Sequence, residues 1–389
     1  MRRVVLLLLF TSLLRAAEDP RLSAIRTLLA PMRITPIGDA SRGARPALTD
    51  VKHQLRDWIE SHFDVLLSKS PTVLQEQLND ELDRSGLFFP KNAIDGQNPL
   101  GYLDPIVLET QPGFAIVRTS VGLQVCGTDD SAYIYEWTHD NHLHRIWQSE
   151  QNDYEEKKYF PQRLIVVKIS PTDWLPGADR SEHLIVTTGV SPWCSSVWQP
   201  VYYRVWQTKS TYSEPLLLLA GSEQIDIAYP IHARANKNDI LIEYDVIASD
   251  AMRVPELRHY VLEHGKLRRT DPVALTPQAF VSFWLRDPWD EVSAWTAPTA
   301  RVTLKAFRQR YEGTDSEFTP PSRRCTAHPN LWQVATGELG MDLRLKAHYF
   351  LIRALPPFRF TMIAASDHHW PDCTENDPAI DNPPDLFDK

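Results

Sequence analysis

Adjacent carboxylates are the first residues in this chain whose types and spacing can do chemistry. Asp129-Asp130 and Glu155-Glu156 each set two acids side by side. Such a pair suits general acid–base catalysis when one carboxyl keeps its proton and the other does not. Two histidine groups offer metal-ligand chemistry: His139, His142 and His144 with Asp140, and Asp367-His368-His369 with Asp372. The first reads more simply as a hairpin turn around Asp140-Asn141, the second as the polar edge of an acidic C-terminal stretch, so no metal site is expected. Familiar catalytic signatures are missing: there is no G-x-S-x-G, S-x-x-K, H-E-x-x-H, Walker loop or EF-hand loop. No cofactor is expected and no catalytic residue is assigned.

Position singles out Asp129-Asp130 from the other acids. They follow Cys126 as Ser195, Ser196, Trp198 and Gln199 follow Cys194, and both stretches belong to a repeat. Ala115-Ile-Val-Arg-Thr-Ser-Val121, Cys126 and Tyr133-Ile-Tyr-Glu-Trp137 recur in order about 68 residues later, as Leu184-Ile-Val-Thr-Thr-Gly-Val190, Cys194 and Tyr202-Tyr-Arg-Val-Trp206. Weaker copies follow at Asp239–Val246 with His259–Leu262, and at Leu331–Leu339 with His348–Leu351 and Phe358–Ala364. Equivalent loops of a repeat gather at one end of the scaffold, where binding residues concentrate. Asp129, Asp130, Ser195, Ser196, Trp198 and Gln199 are therefore the expected ligand contacts, with Trp198 as the aromatic anchor.

The elements that carry these residues have period two and are short, with Pro, Gly and Asn between them. A further strand precedes each later unit, at Leu164–Ile169, Ile225–His232 and Val302–Phe307. The expected fold is mainly β: repeated four-stranded antiparallel units, β-propeller-like, whose apolar faces are covered by neighbouring units. A β-sandwich is the alternative. Residues 18–97 form an N-terminal helical segment, with helices opening at Asp19-Pro20, Thr49 and Ser70-Pro71. The β-repeat domain then covers 98–370, broken by a helical insertion at about 276–296 that carries Phe280, Phe283, Trp284, Trp289 and Trp295. That aromatic stripe reads as core in preference to a partner surface. Residues 371–389 form an acidic, proline-rich tail.

Residues 1–17 read as a signal peptide: Arg2-Arg3, an apolar run Val4–Leu14, then Ala16-Ala17. Its removal deletes Arg2, Arg3 and Arg15, taking the formal charge from −9 to −12. The apolar run of about eleven residues is too short to span a bilayer. A secreted or periplasmic protein without a membrane span is expected, and its acidity disfavours nucleic acid as a partner. In that compartment Cys126, Cys194, Cys325 and Cys373 are expected to form disulfides, tested as Cys126–Cys194 and Cys325–Cys373 among three connectivities. Function divides two ways. A soluble binding or interaction protein of unknown ligand comes first; the alternative is an extracytoplasmic hydrolase of glycan or peptide using carboxylates such as Asp129 or Glu155.

Overall fold

A computed structural model describes residues 18–33, 44–63, 70–90, 100–124, 127–137, 142–150, 163–169, 182–190, 198–208, 215–226, 231–249, 252–310, 316–339 and 345–376. The chain divides into two compact units, residues 1–161 with 191–195, and residues 162–190 with 196–389.

Three helices open the first unit: α1 (Pro20–Arg33), α2 (Ala44–Glu60) and α3 (Pro71–Arg84). Leu22, Ile25, Leu29 and Met32 give α1 one apolar stripe, and Leu74, Leu78 and Leu82 do the same for α3. α3 is capped as its sequence dictates. The Ser70 hydroxyl accepts from the Val73 N–H, Pro71 fills the first turn, and Gly86 takes φ +65° while the Leu87 N–H bonds the Leu82 carbonyl. α2 begins five residues before Thr49, with Pro46 inside it. A first-turn proline removes no intrahelical bond, so it marks no boundary there. The helical stripes share one core with Ala115, Val117, Val121, Tyr133 and Tyr135 of the first sheet.

That sheet has the order β1-β2-β3-β4, from Val107–Gln111, Phe114–Gln124, Gly127–Trp137 and Leu143–Glu150. The second unit holds three more. The second sheet is β5-β6-β7-β8, from Arg163–Ile169, Glu182–Val190, Trp198–Thr208 and Leu216–Asp226. The third is β9 to β12, from His232–Asn236, Asp239–Ser249, Met252–Glu263 and Lys266–Arg269. The fourth, in the order β16-β15-β14-β13-β17, takes Ser316–Cys325, His328–Leu339, Leu345–Leu355, Arg359–Ser366 and the returning Cys373–Asn376.

The first four strands of each sheet form an antiparallel meander of consecutive strands, the topology of a propeller blade, and in the fourth sheet β17 returns to the outer edge of β13. A sandwich would instead interleave distant strands. The repeat extends to irregularities. Where the third strand pairs with the fourth, the register skips Ile146, Leu218 and Ile363 in the first, second and fourth sheets. One extra residue on the same strand of three sheets is a shared bulge, which bends and twists each of them alike. Tight turns follow the same chemistry: His264 and Gly265 both have positive φ, the geometry of a two-residue hairpin.

Within the second unit, neighbouring sheets share cores. Leu184, Val186, Tyr203 and Val205 of the second sheet pack with Ile240, Ile242 and Tyr244 of the third, and the Tyr203 and Tyr244 rings stack at 5.9 Å. Gly221, opposite Tyr203 on β8, makes room for that ring: a Cβ there would fall 2.0 Å from Tyr203 Cζ. Gly221→Ala should therefore cost about 1–3 kcal/mol in chemical denaturation, and Gly221→Ala with Tyr203→Leu should recover most of it. A full cost in the double variant would contradict this packing.

Between the third and fourth sheets lie α4 (Pro277–Arg286), α5 (Trp289–Val292) and α6 (Arg301–Gln309). Phe280, Phe283 and Trp284 are fully buried against Trp332, Phe350 and Phe360, so this aromatic stripe is core. α6 corrects the strand expected at Val302–Phe307. Leu304, Phe307 and Arg308 bury one helical face, and a short apolar run does not separate the two periods. Cys325 likewise lies in a strand, β13, although Gly313–Pro329 reads from its residues as a polar loop. The misleading residues, Pro320-Pro321, sit where the β13–β14 register jumps from Thr319↔Ala335 to Arg323↔Gln333. Cys325 is bonded to Cys373, which stitches β17 to β13. The strand expected over Ile225–His232 is divided, β8 ending at Asp226 and β9 starting at His232. No helix among the described residues is long and apolar enough to cross a membrane.

Candidate functional site

Asp129 and Asp130 lie on β3, not in a loop, and a strand sends neighbours to opposite faces. The odd-numbered face, with Asp129, Ser131, Tyr133 and Tyr135, lies under α2. Lys52, Arg56 and Glu60 recur every four residues on that helix, a rise of about 6 Å that nearly matches two strand residues. Lys52 Nζ stands 3.1 Å from Asp129 Oδ2, with the two side chains 2% and 0% exposed. One step along, the Arg56 guanidinium and the Tyr133 hydroxyl donate to Glu150 Oε1 at 3.0 and 2.9 Å. Next, Arg145 and the Tyr135 hydroxyl donate to Glu60 Oε1 at 2.7 and 3.0 Å. Burial, reinforced by the Glu150 charge, pushes the Tyr133 phenol well up, and burial with Glu60 does the same to Tyr135. Neither tyrosine is an accessible nucleophile, and Asp129 is held in an ion pair away from water.

Asp130 points to the other face. Thr128 Oγ1 donates to its Oδ2 at 2.9 Å, and Ser120 stands opposite it in register. The Asp104 N–H bonds the Ser120 carbonyl at 3.0 Å, which brings a second acid to the same strand end. Burial raises the Asp130 carboxyl above its ordinary range; hydrogen bonds from Ser120 and Thr128 oppose the rise and Asp104 adds to it. Asp130 is half-buried, Asp104 is exposed, and the group offers carboxyl and hydroxyl oxygens at one place.

Cys126, Cys194, Ser195 and Ser196 lie outside the described residues, as do Glu155, Glu156, His139 and Asp140. Trp198 and Gln199 open β7, opposite Asp226 and Ile225. His142 and His144 lie at the start of β4, His144 paired with Glu136. Asp367 Oδ1 accepts from His348 Nδ1 at 2.8 Å, and His369 tilts against Tyr349. Among the described residues no group of three or more His, Cys, Asp or Glu is arranged to hold a metal.

A second charged cluster, missed in the sequence, lies in the second unit where α4 and α5 cover the third sheet. Arg258 pairs with Asp287 and donates through Nε to the Tyr244 hydroxyl at 3.0 Å. Arg269 lies 3.9 Å from Asp287 and 3.6 Å from Glu291, and its guanidinium sits over the Phe283 and Tyr260 rings. Arg308 donates to the Asp287 carbonyl. Glu256, 1% exposed, takes Arg286 at 2.8 Å and the Ser282 hydroxyl at 2.9 Å. The members of the cluster are scattered over Tyr244–Arg308, with no local spacing to reveal them. Alternation on β11 is the usable signal, since Glu256, Arg258 and Tyr260 fall on one face.

Burial raises the Glu256 carboxyl, opposed by Arg286 and Arg258 and assisted by Asp287. A carboxyl raised on folding binds its proton more tightly in the folded chain. Its contribution to stability is full below the unfolded value and is lost as pH rises through the folded one. Glu256→Gln should therefore flatten the dependence of stability on pH above the ordinary carboxyl range. Denaturation at pH 5 and pH 7 checks this; a variant that loses stability at both pH values alike contradicts it.

No family model matches the chain, and no curated protein matches it. Among solved structures the chain is similar to the GH93 alpha-L-arabinofuranosidase of Fusarium graminearum in complex with arabinobiose. Identity is 12% over 70% of this chain and 68% of that chain, with a TM-score of 0.28. A likeness of that size supports no inference about activity.

Proposed function

We propose that this chain is an exported, soluble binding protein whose ligand meets the sheet ends where second and third strands turn. Asp130 carries this reading. It is the one member of the expected acid pair that water reaches, and it stands among the Ser120 and Thr128 hydroxyls beside Asp104. Carboxyl and hydroxyl groups at one place suit a ligand rich in hydroxyl or ammonium donors; Ser195, Ser196, Trp198 and Gln199 are proposed as contacts of the stretch after Cys194, each to be tested on its own. Export is supported by the leader-like residues 1–17 and by the Cys325–Cys373 disulfide.

Arrays of oligosaccharides and of cationic peptides, probed with the chain lacking residues 1–17, provide the test. Asp130→Asn should abolish capture of whichever probes bind while leaving the melting temperature in place; undiminished capture would remove the site. The raised Asp130 carboxyl beside Asp104 favours one second reading, a hydrolase with Asp130 as proton donor. It requires turnover of chromogenic glycosides that Asp130→Asn abolishes.

A further inference from the structure

α6 carries Arg301, Lys305, Arg308 and Arg310 in and just after nine residues without an acid, on a chain of net charge −9. Leu304, Phe307 and Arg308 face inward; Arg301, Val302, Lys305 and Arg310 face water, with Val302 85% exposed. The described contacts of the outward cations are to uncharged groups. Arg301 Nε reaches the Thr296 carbonyl at 3.4 Å, Lys305 lies 5.9 Å over Trp289, and Arg310 lies 4.8 Å over Phe307. A basic face with an exposed valine at its centre is a docking surface in want of an acidic, partly apolar occupant.

The chain supplies one. Residues 377–389 carry Asp377, Asp381, Asp385 and Asp388 against a single Lys389, and Ile380 stands between Asp377 and Asp381 as Val302 stands between Arg301 and Lys305. This stretch lies outside the described residues, but its origin is fixed. Cys373 is bonded to Cys325, and Asn376 pairs with Arg323 on β13. α6 packs through Phe307 on Phe350 of β15, three strands from β17 in the fourth sheet. That is roughly 15 Å at one strand spacing each, and thirteen residues reach up to about 43 Å.

We infer that residues 377–389 bind the exposed face of α6, their aspartates on Arg301, Lys305 and Arg310 and Ile380 over Val302. Tethering makes this contact intramolecular, so a few weak ion pairs suffice to populate it.

Hydrogen exchange of the peptide covering α6 tests it in the full chain. Asp377→Asn, Asp381→Asn and Asp385→Asn together leave every described residue unchanged in type, and should speed exchange about five- to tenfold at low ionic strength. High salt should speed the wild type equally. Reversing both partners, Arg301→Glu, Lys305→Glu and Arg310→Glu with the three aspartates changed to lysine, should restore slow exchange. Unchanged exchange in the aspartate variant overturns the proposal, whether or not the reversed helix folds.

Discussion

Replacing Lys52 by alanine is expected to lower stability by about 3–5 kcal/mol, more than any other exposed-looking helix position in the first unit. Nothing in the sequence around Lys52 marks it as special, yet its ammonium is fully enclosed with the Asp129 carboxylate. The truncation leaves that carboxylate buried with its main counter-charge gone, and desolvation dominates the cost. Removing both charges is a different experiment. Lys52→Met with Asp129→Leu should fall within about 1–2 kcal/mol of wild type, because an apolar pair fills the space without a charge to desolvate. Equilibrium denaturation of the three chains measures both effects. A Lys52→Ala chain as stable as wild type would mean that water reaches Asp129.

Asp287→Ala should be comparably severe, about 3–5 kcal/mol. Asp287 ends α4 and lies between the Arg258 and Arg269 guanidinium groups, all three nearly enclosed. Its loss leaves two cations in the seam between the helical insertion and the third sheet. Arg308 holds the Asp287 main-chain carbonyl, so that tie to α6 survives the substitution. The neighbouring Asp290→Ala, at an exposed position, should change stability by no more than about 0.5 kcal/mol. Equal effects at the two positions would show that the cluster is not the source of the cost.

Much of the scaffold was legible because strands and helices write themselves in period and punctuation. Ile-Val-x-Thr at 116 and 185, and the tyrosine strands at 133 and 202, mark second and third strands of successive sheets. Ser70-Pro71 and Thr276-Pro277 are caps whose side-chain oxygens accept the expected N–H bonds. Errors arose where local signals compete. Pro320-Pro321 reads as loop but occupies a bulge, and Val302–Phe307 reads as strand but is helical because Arg308 completes its buried face. β1 has no apolar alternation to announce it, as Glu109 and Thr110 both face water.

The candidate site was less legible for a geometric reason. Asp129-Asp130 looks like a unit in sequence, whereas a strand separates the two side chains onto faces with different fates. Which face is dry depends on α2, about 77 positions away, and no local pattern encodes that. The arginine cluster around Asp287 was invisible for the same reason, since its members converge only after the insertion folds back on the third sheet.

Asp129→Asn and Asp130→Asn, compared side by side for melting temperature and for capture on the probe arrays, put the division between these acids to its most direct test. Asp129→Asn should lower the melting temperature sharply, while whatever remains folded still captures probe. Asp130→Asn should melt like wild type and capture nothing. The opposite pattern, a stable Asp129→Asn chain that has lost capture or an Asp130→Asn chain that captures normally, would contradict it.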